Sequence, residues 1–514
     1  MVIPYMVLAS SRQGPWWDDW YYPEKYNEQL SNLRKGIWNN QILFGDGYGL
    51  GGYTFLNLFS KVFSLDFSFG ASDSFEKLLD IRIGLILLSI SGVFVLKRIA
   101  AHLGCSDSEA QLASILLAIT PAWLGQATIN IKDTVVAVGL LFVIDGLFSL
   151  FECMKGESRL KYCSAITELI FGIYLSFGTR FGLYLFILIA ELILIFGLSS
   201  FKERRSNLLF LVGANVISYI VLMPMNPVLL RPYSLVVNSV TGTLSLFNQS
   251  AGPVLTNGIL LDGNNPPWWY LPAWVLAQMP ATFLIVLLIG AARLLAKRKS
   301  RIQEFLKAVT QKSTRVRETT TKWLIVIWLL GGPPVVALLL RPPLYDGDRQ
   351  FLMLYPLLAI IVAKCFTSLF NLKSTKGKAL VVLSLVVTPG IALVQIFPFP
   401  YVYKSELISS PNAKWEGDYM GLSLREAVRR IPSDATLAFD FSDERWLVKQ
   451  NMEQIDSKVR NENENPILVV TRRGARISVP KGCRQTDEIA VHPWGREIIL
   501  SFIASCERED LSGE

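Results

Sequence analysis

Four short segments of this 514-residue chain concentrate the side chains that could do acid–base or phosphate chemistry. "PWWDDWYYPEKY" holds Asp18 and Asp19 among aromatic rings, and "TINIKDT" holds Lys132 and Asp133. "RPPLYDGDRQF" holds Arg341, Asp346, Asp348 and Arg349, and "FGTRFG" holds Arg180. A carboxylate can take the proton from an attacking hydroxyl. Lysine or arginine can hold a departing phosphate and stabilise its charge. These residue types fit transfer of a group from a phosphate-bearing lipid. The rings around Asp18 suit stacking on a sugar or on the lipid. Asp18 and Asp19 also repel each other when both are ionised, which makes one of them the better base.

Taken singly, each segment has an ordinary structural reading. The tryptophans and tyrosines beside Asp18 form an interfacial belt, Asp133 complements a helix N-terminus, and Arg341 snorkels from a helix end. Three loops that each combine carboxylates with cations are harder to explain that way. Other chemistries lack their signatures. No phosphate-cradling glycine loop sits between a strand and a helix. No GxSxG elbow is present, and the two histidines, His102 and His492, form no metal-ligand spacing with cysteine. No metal site is assigned and no cofactor is expected, with a divalent metal left open.

The elements that must position these residues are apolar runs. The chain is 51% hydrophobic, and the runs are about 17–20 residues long, enough to cross ~30 Å of hydrocarbon. They fall at Asp80–Ala101, Glu109–Gln126 and Thr134–Phe151, then as two within Ile166–Ser200 divided at "FGTRFG". Others fall at Asn207–Met223, Leu271–Leu295, Trp323–Leu340, Phe351–Phe370 and Ala379–Phe397. One set of intervening loops is basic: Lys97/Arg98, Lys155/Arg159/Lys161, Lys202/Arg204/Arg205, the stretch from Lys297 to Lys322, and Lys373/Lys376/Lys378. The positive-inside rule puts that set in the cytoplasm and every chemistry-bearing segment outside it. The net charge of +8 is explained by these loops, so nucleic acid is not expected as a partner. Ionisable residues inside spans are rare. Asp145 and Glu191 are the acidic exceptions, neither with an evident partner, which argues against ion-coupled transport.

Two regions flank the bundle. Residues 1–79 read as a first outer loop in which Tyr48–Leu65 lies along the interface, with a first membrane helix absent or reduced to Met1–Ser10. Residues 401–514 turn polar, and from Pro411 onward read as a small α/β domain. Its helix is expected at Leu422–Ile431 and its strands at Ala435–Phe439, Pro466–Val470 and Glu497–Ile503. Cys105, Cys153, Cys163 and Cys365 map to the cytoplasmic side, whereas Cys483 and Cys506 lie in the outer domain and are expected to form a disulfide.

Read in order, these segments resemble a known family. Asp18-Asp19, "YGLGGYTF", "AITPAWLGQATINIKD", "GTRFG", "PPWWYLPAWVLAQMP", "LYDGDRQFLMLYP" and "WEGDYMGLSLREA" follow one another along nearly the whole chain. The chain thereby resembles bacterial family 39 polyprenyl-phosphate-dependent glycosyltransferases of the GT-C type, related to protein O-mannosyltransferases and lipid A aminoarabinose transferases. The resemblance implies a catalytic acid at Asp18 with Asp19 beside it, and a second functional acid at Asp133 next to Lys132. It also implies phosphate contacts from Arg349 near Asp346; Lys132 and Arg180, cations of the same outer segments, are placed with them as donor-binding residues. A sugar would move from a polyprenyl-phosphate donor to a protein or glycolipid acceptor outside the cytoplasm, with inversion. Departures include Asp-Asp in place of Asp-Glu, Ile131 and Thr134 where prolines are frequent, Gln350 for histidine and Met420 for tryptophan.

The resulting expectation is an all-α, GT-C-like bundle of about ten to eleven membrane helices over residues 80–400, with an outer loop at 225–270 and the outer α/β domain behind it. The alternatives are a flippase or transporter of lipid-linked saccharides, a catalytically degenerate scaffold of the same shape, and an interaction module built around the last domain.

Overall fold

The computed structural model describes residues 2–14, 31, 51–63, 73–153, 159–198, 204–222, 251–296, 314–369, 375–431, 467–472, 479 and 482–506. Two short helices come first, α1 (Val2–Arg12) and α2 (Gly51–Phe63). The bundle then opens with α3 (Asp73–His102), α4 (Asp107–Ile119), α5 (Pro121–Ala127), α6 (Asp133–Cys153), α7 (Arg159–Phe177), α8 (Leu183–Leu198) and α9 (Arg204–Leu222). A hairpin of β1 (Pro253–Thr256) and β2 (Ile259–Asp262) precedes α10 (Tyr270–Gln278) and α11 (Ala281–Ala296). The bundle closes with α12 (Thr314–Val326), α13 (Gly332–Leu340), α14 (Leu354–Leu369) and α15 (Thr375–Gln395).

Helices therefore stand at every apolar run expected from the sequence. Three stretches among the described residues are long and apolar enough to cross a membrane: Leu78–His102, Asp133–Cys153 and Arg317–Leu340. The number rises to five if each of two bent pairs counts as one span, and the remaining apolar helices are shorter. The exposed surface agrees with a lipid environment. Phe94, Phe196, Leu209, Leu288, Leu339 and Val394 are each more than half exposed, which water would penalise and hydrocarbon does not.

Two runs expected to be continuous are broken. The pair α4/α5 bends by 61° and the pair α10/α11 by 116°. Both breaks precede a proline. Thr120, before Pro121, has φ −66° and ψ 117°, and Met279, before Pro280, has φ −87° and ψ 134°. The proline ring clashes with a helical conformation at the residue before it and removes a helix N–H, so the chain leaves the helix there.

Helix α6 is the axis of the bundle. Its side chains are buried on nearly every face, and glycines let α7 approach its backbone. A Cβ at Gly139 would lie 2.7 Å from Ser176 N, one at Gly146 would lie 2.7 Å from Leu169 N, and one at Gly172 would lie 2.5 Å from Val143 N. Small residues at such a crossing gain close van der Waals packing where lipid supplies no hydrophobic drive. The two acids that lacked evident partners are engaged. Asp145 on α6 pairs with Arg98, which also reaches Glu168 at 2.9 Å. Glu191 on α8 accepts from Asn215 at 2.9 and 3.0 Å.

Beyond α15 the chain forms α16 (Leu424–Arg430) and a three-stranded antiparallel sheet in the order β3 (Ile467–Thr471), β5 (Ile498–Cys506), β4 (Cys483–Val491). Strand β4 was not expected from the sequence, because its polar residues hide the alternation. The strand expected at Ala435–Phe439 lies outside the described residues. Cys483 and Cys506 face each other in register on β4 and β5, with Cα atoms 4.1 Å apart, and are disulfide-bonded. No disulfide joins the other four cysteines, all among the described residues.

Candidate active site

The site begins with the turn that starts α6. Asn130 folds its side chain back over the next residues, its Oδ1 accepting from Lys132 N at 3.1 Å and Asp133 N at 2.8 Å. Asparagine competes well for such local backbone donors and so fixes where the helix starts. Asp133 becomes the first helical residue, with its carboxylate buried.

Arg180 reaches Asp133 from the turn between α7 and α8, bonding Oδ1 through its Nη2. That turn is held by the first glycines of α2. Gly51 N donates to Gly178 O at 2.9 Å, Gly52 N donates to Thr179 Oγ1 at 3.0 Å, and Tyr174 OH donates to Gly51 O at 3.0 Å. A Cβ at Gly51 would sit 2.8 Å from the carbonyl carbon of Gly178. Gly51 and Gly52, within the Tyr48–Leu65 stretch expected to lie along the interface, thus brace the arginine turn.

Arg349 arrives from the loop between α13 and α14. Its Nη1 reaches Asp133 Oδ2 at 3.3 Å and its Nη2 reaches Asp346 Oδ2 at 2.8 Å. Asp346 (φ 57°) and Gly347 (φ 75°) are both left-handed, which folds the loop tightly enough for this bridge. Gly347 also lies flat on Trp274, where a Cβ would meet the ring at 3.0 Å. Asp348 faces another way and accepts from Tyr355 OH. Burial pushes its carboxyl up to about 6, against the pull of the Tyr355 hydroxyl and nearby Lys404.

A second layer comes from the segment after α15. Lys404 is fully buried, its ammonium 4.8 Å from the Trp274 ring centroid, and burial pulls it down to about 8 although Asp348 and Glu416 oppose this. Asp418 anchors the same segment. Its carboxylate accepts the backbone N–H groups of Met420, Gly421, Leu422 and Ser423 at 2.7–3.2 Å, the Ser423 hydroxyl at 2.6 Å, and Tyr401 OH. Tyr419 stacks edge-on with Trp274 and Tyr401.

The structure thus brings Asp133, Arg180, Arg349 and Asp346 into one cluster, all buried except the half-buried Arg180, with Lys132 beside it in the chain and also buried. Asp18 and Asp19 lie outside the described residues. The chain that leads toward them is described as far as Gly14, where Arg82 caps α1 by donating to Ser10 O at 3.2 Å, Gln13 O at 3.4 Å and Gly14 O at 2.8 Å. Gln13 accepts from Thr128 Oγ1 at 3.2 Å and Gly14 N donates to Leu422 O at 3.1 Å. Arg341 caps α13 in a left-handed conformation. Asn130, Gln126, Lys404 and Tyr419 join the site without having been expected from the sequence. Only Asn130 carried a legible signal, as an Asx residue three positions before a helix-starting aspartate.

No protein-family model and no curated protein matches the chain. In fold it is similar to ArnT from Cupriavidus metallidurans in the apo state, at 9% identity and a TM-score of 0.45 over 99% of this chain and 97% of that one. ArnT from Cupriavidus metallidurans bound to undecaprenyl phosphate gives 10% identity and 0.44, over 97% and 96%. The oligosaccharyltransferase of Archaeoglobus fulgidus with Zn and sulfate gives 14% and 0.41, over 90% of this chain and 58% of that one.

Proposed function

We propose that this chain is an integral membrane glycosyltransferase that moves a sugar from a polyprenyl-phosphate donor to an acceptor outside the cytoplasm, with inversion. The observation that carries the reading is the pairing of Arg180, half-buried, and Arg349, buried, on the two oxygens of the buried Asp133 carboxylate. A guanidinium presents a rigid, planar set of donors matched to phosphate oxygens. Two of them steered by one carboxylate make a preorganised array for the charge that develops as a phosphate departs. Asp133 serves as the organiser of that array, since Arg180, Arg349 and Asn130 already occupy its oxygens.

In the proposed step, the acceptor hydroxyl oxygen bonds to the anomeric carbon on the face opposite the phosphate. The bond from that carbon to the phosphate oxygen breaks, its electron pair leaving with polyprenyl phosphate. The hydroxyl proton passes to Asp18 or Asp19, the general base in this reading. Arg180, Arg349 and Lys132 hold the leaving phosphate, and Asp346 keeps Arg349 turned toward it. The wider arrangement is part of the proposal: about ten spans, basic loops in the cytoplasm, and both the site and the 401–514 region outside.

Purified protein incubated with polyprenyl-phosphate sugars and candidate acceptors tests the reading. Acceptor-dependent release of free polyprenyl phosphate is expected. Passage of a labelled lipid across proteoliposomes without chemical change would support the flippase instead.

A further inference from the structure

A run of hydrogen bonds leaves the Asp133 carboxylate and ends in the segment beyond α15. Two backbone N–H groups, from Lys132 and Asp133, point at Asn130 Oδ1 and so decide which end of that amide faces them. Asn130 Nδ2 must then face outward, and it donates to Asp133 Oδ2 at 2.9 Å and to Gln126 Oε1 at 2.8 Å. With its oxygen so engaged, Gln126 turns Nε2 to the Tyr419 hydroxyl at 3.1 Å. Tyr419 in turn donates to Tyr401 O at 3.2 Å. Every member is buried, and each amide is held from both sides, Asn130 between the backbone donors and Gln126, and Gln126 between Asn130 and Tyr419. The path is closely packed as well, since a Cβ at Gly125 would meet Tyr401 N at 2.4 Å.

We propose that Gln126 and Tyr419 are positioning residues for this site: acting through Asn130, they aim the Asp133 carboxylate and so tie the segment after α15 to the arginine pair. The inference rests on the transferase reading for its effect on turnover, but not for its effect on the turn itself. Flipping either amide would set donor against donor or acceptor against acceptor inside a dry interior, where an unmade hydrogen bond is costly. Asp133 Oδ2 is thereby held as an acceptor. The aim of the carboxylate matters most as charge develops on the departing phosphate, and less when the intact donor binds.

Tyr419→Phe keeps the ring contacts and deletes only the hydroxyl. The expected result is a kcat lower by about tenfold, with donor KM changed by less than about twofold, since an interaction realised in the transition state moves kcat alone. Asn130→Ala lowers kcat further, and Tyr419→Phe adds nothing in that background, because residues in one network are not additive. Without any ligand, hydrogen exchange at the Lys132 and Asp133 amides should speed up in Tyr419→Phe, while the interior of α6 exchanges as in the wild type. Additive effects in the double variant, or unchanged exchange at those two amides, would overturn the proposal. A wild-type chain that transfers no sugar would sink the transferase reading, and the exchange measurement would still decide the positioning chain.

Discussion

The guanidinium of Arg349 meets the Asp133 carboxylate at 3.3 Å across 216 residues of chain. This buried contact fastens the loop between α13 and α14 to the start of α6. Removing Asp133 leaves Arg349 one of the two carboxylates it bridges and takes the shared one from Arg180, and breaking a buried charge pair typically costs about 3–5 kcal/mol. Asp133→Asn should therefore lose transfer by at least about a hundredfold and lower the thermal midpoint in detergent. Asp133→Asn combined with Arg180→Gln should recover part of the midpoint but none of the transfer. Activity assay and calorimetry on the same preparations check both halves.

Arg349 bridges two carboxylates through separate nitrogens, Nη1 to Asp133 and Nη2 at 2.8 Å to Asp346. A lysine has one compact ammonium and cannot span both. Arg349→Lys should keep the protein folded while reducing kcat/KM for the lipid donor by about ten- to a hundredfold, less than the roughly hundred- to thousandfold of a deleted donor because the positive charge remains. Steady-state kinetics with a polyprenyl-phosphate sugar measures it.

Gly51 tests the brace behind Arg180. Its missing Cβ faces the Gly178 backbone at 2.8 Å, and no flexible side chain is there to yield. Gly51→Ala should cost about 1–3 kcal/mol of stability, the usual price of overpacking, and should reduce transfer by displacing the Arg180 turn. Gly104→Ala, where no neighbour lies within 4 Å but φ is +75°, should lower stability modestly without touching transfer.

Much of this was legible in the sequence, and the remainder has physical reasons for being hidden. Charged residues at the ends of apolar runs stand out, so Asp133, Arg180, Asp346 and Arg349 were all marked. Neutral polar residues inside a bundle carry no periodic signature, and Gln126 and Tyr419 became visible only through their contacts. The two bends were readable, because Thr120-Pro121 and Met279-Pro280 obey the pre-proline rule, but the apolar runs were counted by length alone. The β1–β2 hairpin was readable as well. Asn257 (φ 50°) and Gly258 (φ 82°) form its two-residue turn, the pairing that matches strand twist best. Asp418 stands within "WEGDYMGLSLREA", but its service to four backbone amides depends on how the following residues fold.

Asp348 should leave a trace in the pH dependence of stability. Its folded carboxyl is raised to about 6, above the ~3.9 of an unfolded aspartate. Between those values the folded state binds more protons than the unfolded one. The wild type should therefore lose stability as pH climbs from about 4 to 6 and pay the full cost above that, up to about 3 kcal/mol. Asp348→Asn should flatten this slope in melts taken from pH 4 to 7. Lys404 works in the opposite window: lowered to about 8 from ~10.4, it costs stability below 8, and the cost is relieved as pH rises toward 10.

The most direct test of the central claim is release of polyprenyl phosphate from a radiolabelled polyprenyl-phosphate sugar by wild type, Asp133→Asn and Arg349→Lys side by side. Acceptor-dependent release is expected from the wild type, near-background release from Asp133→Asn and an intermediate rate from Arg349→Lys. Equal release by all three proteins, or none by a correctly folded wild type supplied with a range of sugars and acceptors, would contradict that claim.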